Sequence, residues 1–127
     1  TLSNQLIKKY ANKIIAGIDA FEDTIAIEGW REKSSISVSS MLDRLSDLPI
    51  ESIIYTDISR DGMMSGPNLP MLMKVCEQTA HPIIASGGIR HLSDIQDLES
   101  YAQKGITGCI IGKAILSGQL PLDDLWP

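Results

Sequence analysis

Four short segments limit what this chain can fold into. Each is a continuous run of apolar, largely β-branched residues that ends in polar side chains or glycine. They are Lys13-Ile14-Ile15-Ala16-Gly17-Ile18-Asp19, Ser52-Ile53-Ile54-Tyr55-Thr56-Asp57, Pro82-Ile83-Ile84-Ala85-Ser86-Gly87-Gly88 and Gly108-Cys109-Ile110-Ile111-Gly112. Runs without period-two alternation suit strands buried on both faces, as in parallel sheets. Helical patterns lie between them. Leu2, Leu6, Ile7 and Tyr10 form a stripe before the first run. Val38, Met41, Leu42, Leu45 and Leu48 recur at three and four until Pro49 stops them. Asn68 can cap a helix carrying Leu69, Leu72, Met73 and Cys76. Ser93 with Gln96 makes a capping box ahead of Ile95, Leu98 and Ala102. A last, short helix fits between Leu122 and Trp126 at most. One helix followed by four strand–helix units predicts an α/β fold with a parallel sheet, the strand starts roughly 25 to 40 residues apart. Asp23 to Trp30 breaks this order: it alternates like an exposed strand in the loop after the first run, where α/β proteins build function.

The chain has 127 residues, 43% hydrophobic and 21% charged, which predicts one soluble domain with a real core. A net charge of −5 argues against a nucleic-acid partner, which would call for a basic surface. No run of 18 apolar residues exists, and Thr1-Leu2-Ser3-Asn4 does not open a secretory signal, so a cytoplasmic protein without membrane contact is expected. Cys76 and Cys109 form no CxxC and sit in apolar surroundings, as buried thiols of a reducing compartment do. His81 and His91 lack ligand-like spacing, so no metal site is expected.

Polar residues collect just past each apolar run: Asp19; Thr56, Asp57 and Asp61; Ser86-Gly87-Gly88; Gly112-Lys113. In a parallel sheet all of them lie at one end. Taken singly, each is explained as well by a capped turn. Glycines let backbone N–H groups approach a phosphate, and in (β/α)8 barrels the loops after the last two strands frequently hold one. Asp19 is placed either as a general acid with a raised pKa or as a carboxylate bonded to loop N–H groups. His91 reads as a loop residue, and Trp30 either stacks on a substrate ring or anchors the core. Asp57 and Arg60 are candidates for a local ion pair.

The stretches GIDAFEDTIAIEGW, YTDISRDGMMSGPN, IIASGGI and GCIIGKAILSG, in this order, closely resemble the C-terminal half of a family. That family is the phosphoribosylformimino-aminoimidazole carboxamide ribotide isomerases of histidine biosynthesis, which are (β/α)8 barrels. The resemblance runs through nearly the whole chain. The sister cyclase of the pathway, partner of a glutamine amidotransferase, shares the SRDG-like and ASGG stretches, whereas IEGW and IIGKAI look like the isomerase. The resemblance implies a TIM-barrel α/β fold, with residues 1–127 as one C-terminal half-barrel of four βα units. It also implies an Amadori rearrangement of an aminoaldose to an aminoketose on a sugar-phosphate substrate, without metal or organic cofactor. Under it Asp19 matches the fifth-strand aspartate proposed as general acid, Thr56 a threonine bonding near the ribose, and Asp61 a loop aspartate contributing to activity. Gly87, Gly88, Gly112 and Lys113, with Ser86 beside them, match one phosphate site, and Trp30 lies in the loop closing over substrate.

Two departures are visible: Met63 stands where many members have Thr, and Lys113 where they have Arg, which costs the bidentate fork. The family's first four βα units, with its general base and second phosphate site, fall outside the resemblance. Expectations therefore divide between an isomerase whose activity belongs to the full barrel and a non-catalytic phosphate-binding half-barrel module. In either case the exposed sheet edges call for the missing N-terminal half or for self-association.

Overall fold

The computed structural model describes residues 2–27, 29 and 32–126, and of Ser3, Glu32 and Lys33 the backbone alone. Helix α1 (Leu2–Lys9) leads into strand β1 (Ile15–Phe21), which turns at Glu22-Asp23 into β2 (Thr24–Ile27) and then β3 (Glu32–Ser37). Helix α2 (Val38–Leu45), β4 (Ser52–Asp57), α3 (Leu69–Gln78), β5 (Ile83–Ser86), α4 (Leu92–Ser100), a 3-10 turn (Ala102–Lys104) and β6 (Ile106–Ile110) follow. Two one-turn helices, α5 (Lys113–Leu116) and α6 (Leu122–Leu125), complete the order.

The sheet runs β3-β2-β1-β4-β5-β6. The four expected runs are its parallel strands β1, β4, β5 and β6. They are neighbours in chain order with no reversal, which is the winding of a barrel rather than of a doubly wound sheet with its switch point. The helices follow the same rule. Ile18, Ala20, Ile53, Tyr55, Ile83, Ala85 and Ile106 point from one sheet face into a single core with Val38 and Leu42 of α2, Leu72, Val75 and Cys76 of α3, and Leu98 of α4. Ile53 and Ile83 are fully buried there, each worth roughly 1.5–3 kcal/mol of transfer free energy.

The opposite face differs from the expectation of strands buried on both sides. Its rows, Gly17-Ile54-Ile84-Gly108 and Asp19-Thr56-Ser86-Ile110, are in register across β1, β4, β5 and β6. Gly17 and Gly108 are exposed and Ile54 and Ile84 half-buried, while Ile15 and Ile110 keep 43% and 45% of their surface. Continuous apolar runs fit two covered faces; here the helices flank one.

Three local details also differ. The segment read as an exposed strand supplies β2, but Ile25 within it is buried, because β2 pairs with Ala20 and Phe21 of β1 and is covered on one side. Helix α4 starts two positions earlier than the Ser93–Gln96 capping box requires. His91 is the N-cap and Asp94 the third helical residue, its carboxylate accepting from the His91 N–H at 3.2 Å. Asn68 caps α3 as expected, its side chain accepting from the Met71 N–H at 3.3 Å.

Candidate functional site

Register places the polar strand ends side by side. Asp19 pairs with Thr56, Thr56 with Ser86, and Ser86 with Ile110, at the carboxyl ends of the four parallel strands. In-register neighbours of a parallel sheet point to the same face, since side chains alternate with period two. Asp19, Thr56 and Ser86 therefore lie in one row on the face the helices leave uncovered. Thr56 is buried, and Asp19 and Ser86 are half-buried.

A cleft of about 290 Å³ adjoins this row, lined by Asp61, Gly62, Met64, Gly87, Gly88, Ile89, Ile110, Gly112 and Lys113. The Gly87-Gly88 pair after β5 and Gly112-Lys113 after β6 thus meet in one place, together with Asp61 from the loop after β4. Gly87 and Gly88 have φ of +105 and +84. A Cβ on Gly87 would sit 2.7 Å from the Asp57 carbonyl oxygen, and one on Gly88 2.5 Å from that of Gly66. Backbone packed this closely admits no side chain, which leaves a cradle walled by main chain. Gly112 has open space around it and precedes α5, whose first residue, Lys113, donates from Nζ to the Gly62 carbonyl at 3.1 Å. One ammonium group is thus held at a cleft whose other walls are glycine backbone, Asp61 and the apolar Met64, Ile89 and Ile110. Trp30 lies outside the described residues.

The loop from residue 58 to 67 owes its shape to residues that sequence reasoning left without a role. Asp57 is buried on the helix side of β4; its carboxylate accepts from the Ser59 N–H, the Ser59 hydroxyl and, at 2.8 Å, from Asn68 Nδ2. Its carbonyl accepts from the Arg60 and Asp61 N–H groups at 3.1 and 3.0 Å. The Asp57–Arg60 ion pair is therefore not formed: the carboxylate is filled by its own turn, and Arg60 Nη1 donates to the Gly66 carbonyl at 3.2 Å. Burial, with Asp57 and then Asp23 nearby, pushes the Tyr55 phenol far above its ordinary value, so it stays neutral within the core. Asn68 serves twice, as the α3 cap and as a tie to Asp57.

Asp94 was also missed. It is buried, and Arg90 bonds to it from N, Nε and Nη2 at 3.0, 3.1 and 3.3 Å. Burial alone would raise its carboxyl, but the bonds from Arg90 and the His91 backbone hold it below the usual range. An acid three residues after a helix start was the available signal.

Comparison with known proteins now bears on this arrangement. The profile of the histidine biosynthesis proteins matches residues 1–121. The chain belongs to that family. Its open sheet is accordingly part of a TIM-barrel α/β fold. Among curated relatives, one from Trichlorobacter lovleyi is 44% identical over 115 residues, 91% of this chain and 47% of its own. Others from Geobacillus thermodenitrificans and Pelobacter propionicus are 38% and 41% identical over 96% and 94% of this chain, and 50% and 51% of theirs. All three are named 1-(5-phosphoribosyl)-5-((5-phosphoribosylamino)methylideneamino)imidazole-4-carboxamide isomerase. This histidine biosynthesis family member spans about half the length of the curated relatives it matches. No helix among its described residues is long and apolar enough to cross a membrane.

Proposed function

We propose that residues 1–127 form the C-terminal half of a (β/α)8 isomerase and carry one half of its active site. The observation behind this reading is the row Asp19-Thr56-Ser86 beside the glycine-walled cleft, on the uncovered face at the strands' carboxyl ends. In this reading Asp19 protonates the ribose ring oxygen of an aminoaldose phosphoribosyl substrate, opening the ring to a Schiff base. Thr56 bonds near the reacting ribose, and Asp61 holds the loop beside it. Ser86, Gly87, Gly88, Gly112 and Lys113 take one substrate phosphate, and Trp30 belongs to the loop over the substrate. The base that removes the proton from the adjacent carbon comes from the other half of the barrel. The names of the relatives favour the isomerase over the sister cyclase.

The uncovered apolar surface supports a missing complement. Besides Ile15 and Ile110, Leu2 and Leu6 of α1 are 71% and 43% exposed. A cleft of about 310 Å³ follows the β6 edge, where Ile95, Leu98, Ala102, Ile106 and Cys109 line it beside Glu99 and Thr107. The N-terminal half-barrel is the occupant that would pair the open β6 edge and the part of β1 that β2 leaves unpaired, and cover this face.

The test is turnover of the aminoaldose by this chain alone and mixed with the N-terminal half of the Trichlorobacter lovleyi relative. Little turnover alone and substantial turnover in the mixture are expected. Comparable turnover by the chain alone would refute the divided site. A second reading, a free-standing phosphate-binding module that self-associates, draws on the glycine cleft itself, which the segments after β4, β5 and β6 build together. Phosphate binding without turnover in the mixture would favour it.

A further inference from the structure

The cleft has a wall that the catalytic reading leaves unexplained. The loop after β4 contributes Asp61, Gly62 and Met64 to the cleft, and the turn after β5 contributes Gly87, Gly88 and Ile89. These two pieces of chain meet at Gly66. Its N–H donates to the Gly88 carbonyl at 2.9 Å, and its own carbonyl accepts from Arg60 Nη1 at 3.2 Å. Its remaining side is closed by Arg90: a Cβ on Gly66 would stand 3.1 Å from Arg90 Nη2 and 3.4 Å from the guanidinium carbon. Arg90 is fixed in turn by Asp94, whose side chain is only 5% exposed against 37% for Arg90. The Asp94 carboxylate also holds the backbone N–H groups of Arg90 and His91, the residues that follow Ile89.

The geometry points to Arg90 and Asp94 as positioning residues that clamp the Gly66 loop onto the Gly87–Gly88 turn and so hold the cleft at the width of a phosphate. This rests on the phosphate reading of the cleft. Neither residue lines it. Their effect passes through Gly66 on one side and through the main chain of Ile89 and Gly88 on the other. An exposed surface ion pair would contribute little, but here the carboxylate is buried and four N–H groups converge on it.

The sign of one substitution separates clamping from simple electrostatics. Asp94→Asn removes a negative charge near an anion site. If charge alone mattered, phosphate would bind more tightly. If Asp94 positions the turn, phosphate binds more weakly.

The experiment titrates inorganic phosphate into the ¹⁵N-labelled chain at constant ionic strength and follows the amides of Gly87, Gly88 and Gly112. Asp94→Asn is expected to weaken binding roughly fivefold or more, and Arg90→Ala to match it. The double variant should be no worse than either single, as coupled partners require. Arg90→Lys keeps the charge but loses the planar fork, and is expected to bind as weakly as Arg90→Ala. Should Asp94→Asn fail to fold, the Arg90→Lys and Arg90→Ala pair decides the matter. Leu42→Ala, a core truncation far from the cleft, is expected to lower thermal stability while keeping wild-type affinity, which removes general destabilisation as a cause. Unchanged or tighter binding by Asp94→Asn, or wild-type binding by Arg90→Lys, overturns the clamp and leaves the phosphate site standing. No response of the three glycine amides in the unaltered chain overturns the phosphate site itself, and the clamp with it.

Discussion

Gly88→Ala is the sharpest perturbation of the cleft, because the structure states what a single methyl group would meet. The new Cβ would lie 2.5 Å from the Gly66 carbonyl oxygen and 3.0 Å from Arg60 Cβ, at a φ of +84. An L-residue in that region costs about 1–2 kcal/mol. Relief of the contact requires Gly66 to move, which breaks its hydrogen bond to the Gly88 carbonyl at a cost of about 1 kcal/mol. Alanine's lower entropy in the unfolded chain returns about 0.4–1 kcal/mol. The net expectation is a loss of roughly 1–2.5 kcal/mol, or a fall in Tm on the order of 5–10 °C for a domain of this size. Gly62→Ala is the matched control: φ is +68 but nothing lies within 4 Å, so about 1 kcal/mol or less is expected. Gly112→Ala meets no atom within 4 Å and has φ −119, so its stability should stay within about 0.5 kcal/mol while phosphate affinity falls. Urea and thermal unfolding of the three variants measure this. A Gly88→Ala protein as stable as the parent, or a Gly62→Ala protein equally damaged, would refute the close-packing argument.

Further outcomes follow from other parts of the molecule. In the reconstituted barrel, Asp19→Asn is expected to lower kcat by roughly 10²–10⁴-fold, the range of general acid–base groups; near-normal kcat would remove Asp19 from the role. Because the folded state holds the Asp94 carboxyl below its ordinary value, its stabilisation is fully present above the unfolded pKa and lost as pH falls through the folded one. The stability gap between the parent and Asp94→Asn should therefore be flat near neutrality and narrow below roughly pH 4; a gap that widens on acidification contradicts the pairing. Burial raises both thiols, with Glu77 adding to the effect at Cys76. At pH 7.5 both should alkylate more slowly than a free thiol, with half-buried Cys109 ahead of buried Cys76. Ile110→Asp should lower Tm by about 5 °C, since Ile110 is 45% exposed and lies within β6, and should weaken association with an N-terminal half-barrel at temperatures where the chain stays folded; sedimentation of the mixture tests it.

Much of the fold was legible in the residue order. Each apolar run became a parallel strand, the caesura at Pro49 closed α2 within a turn, and Asn68 capped α3, because these signals are local: side-chain period, a missing N–H, a short polar side chain. The helix start at His91 was misread because Ser93 and Gln96 satisfy the capping pattern equally well in sequence. Only the burial of Asp94, with its bonds from the Arg90 and His91 N–H groups, chooses between the two frames. The Asp57–Arg60 pairing failed for a related reason. Adjacent opposite charges suggest a bond, but a turn that folds its own N–H groups onto the carboxylate leaves nothing for the guanidinium.

The site divides in the same way. Sequence alone determined which residue types stand past each strand, and hence that acid, hydroxyl and glycine groups would share one end of a parallel sheet. Tertiary structure decided the rest. It set Asp19, Thr56 and Ser86 into one row through register, brought Gly87 and Gly88 against Gly112 and Lys113, and joined Gly66 to Arg90 and Asp94. It also left one sheet face without a cover. Strand periodicity encodes which residues are apolar, whereas the number of elements available to cover them is a property of the whole assembly. Contacts between residues distant in sequence depend on how strands twist and loops close, and no local pattern records that.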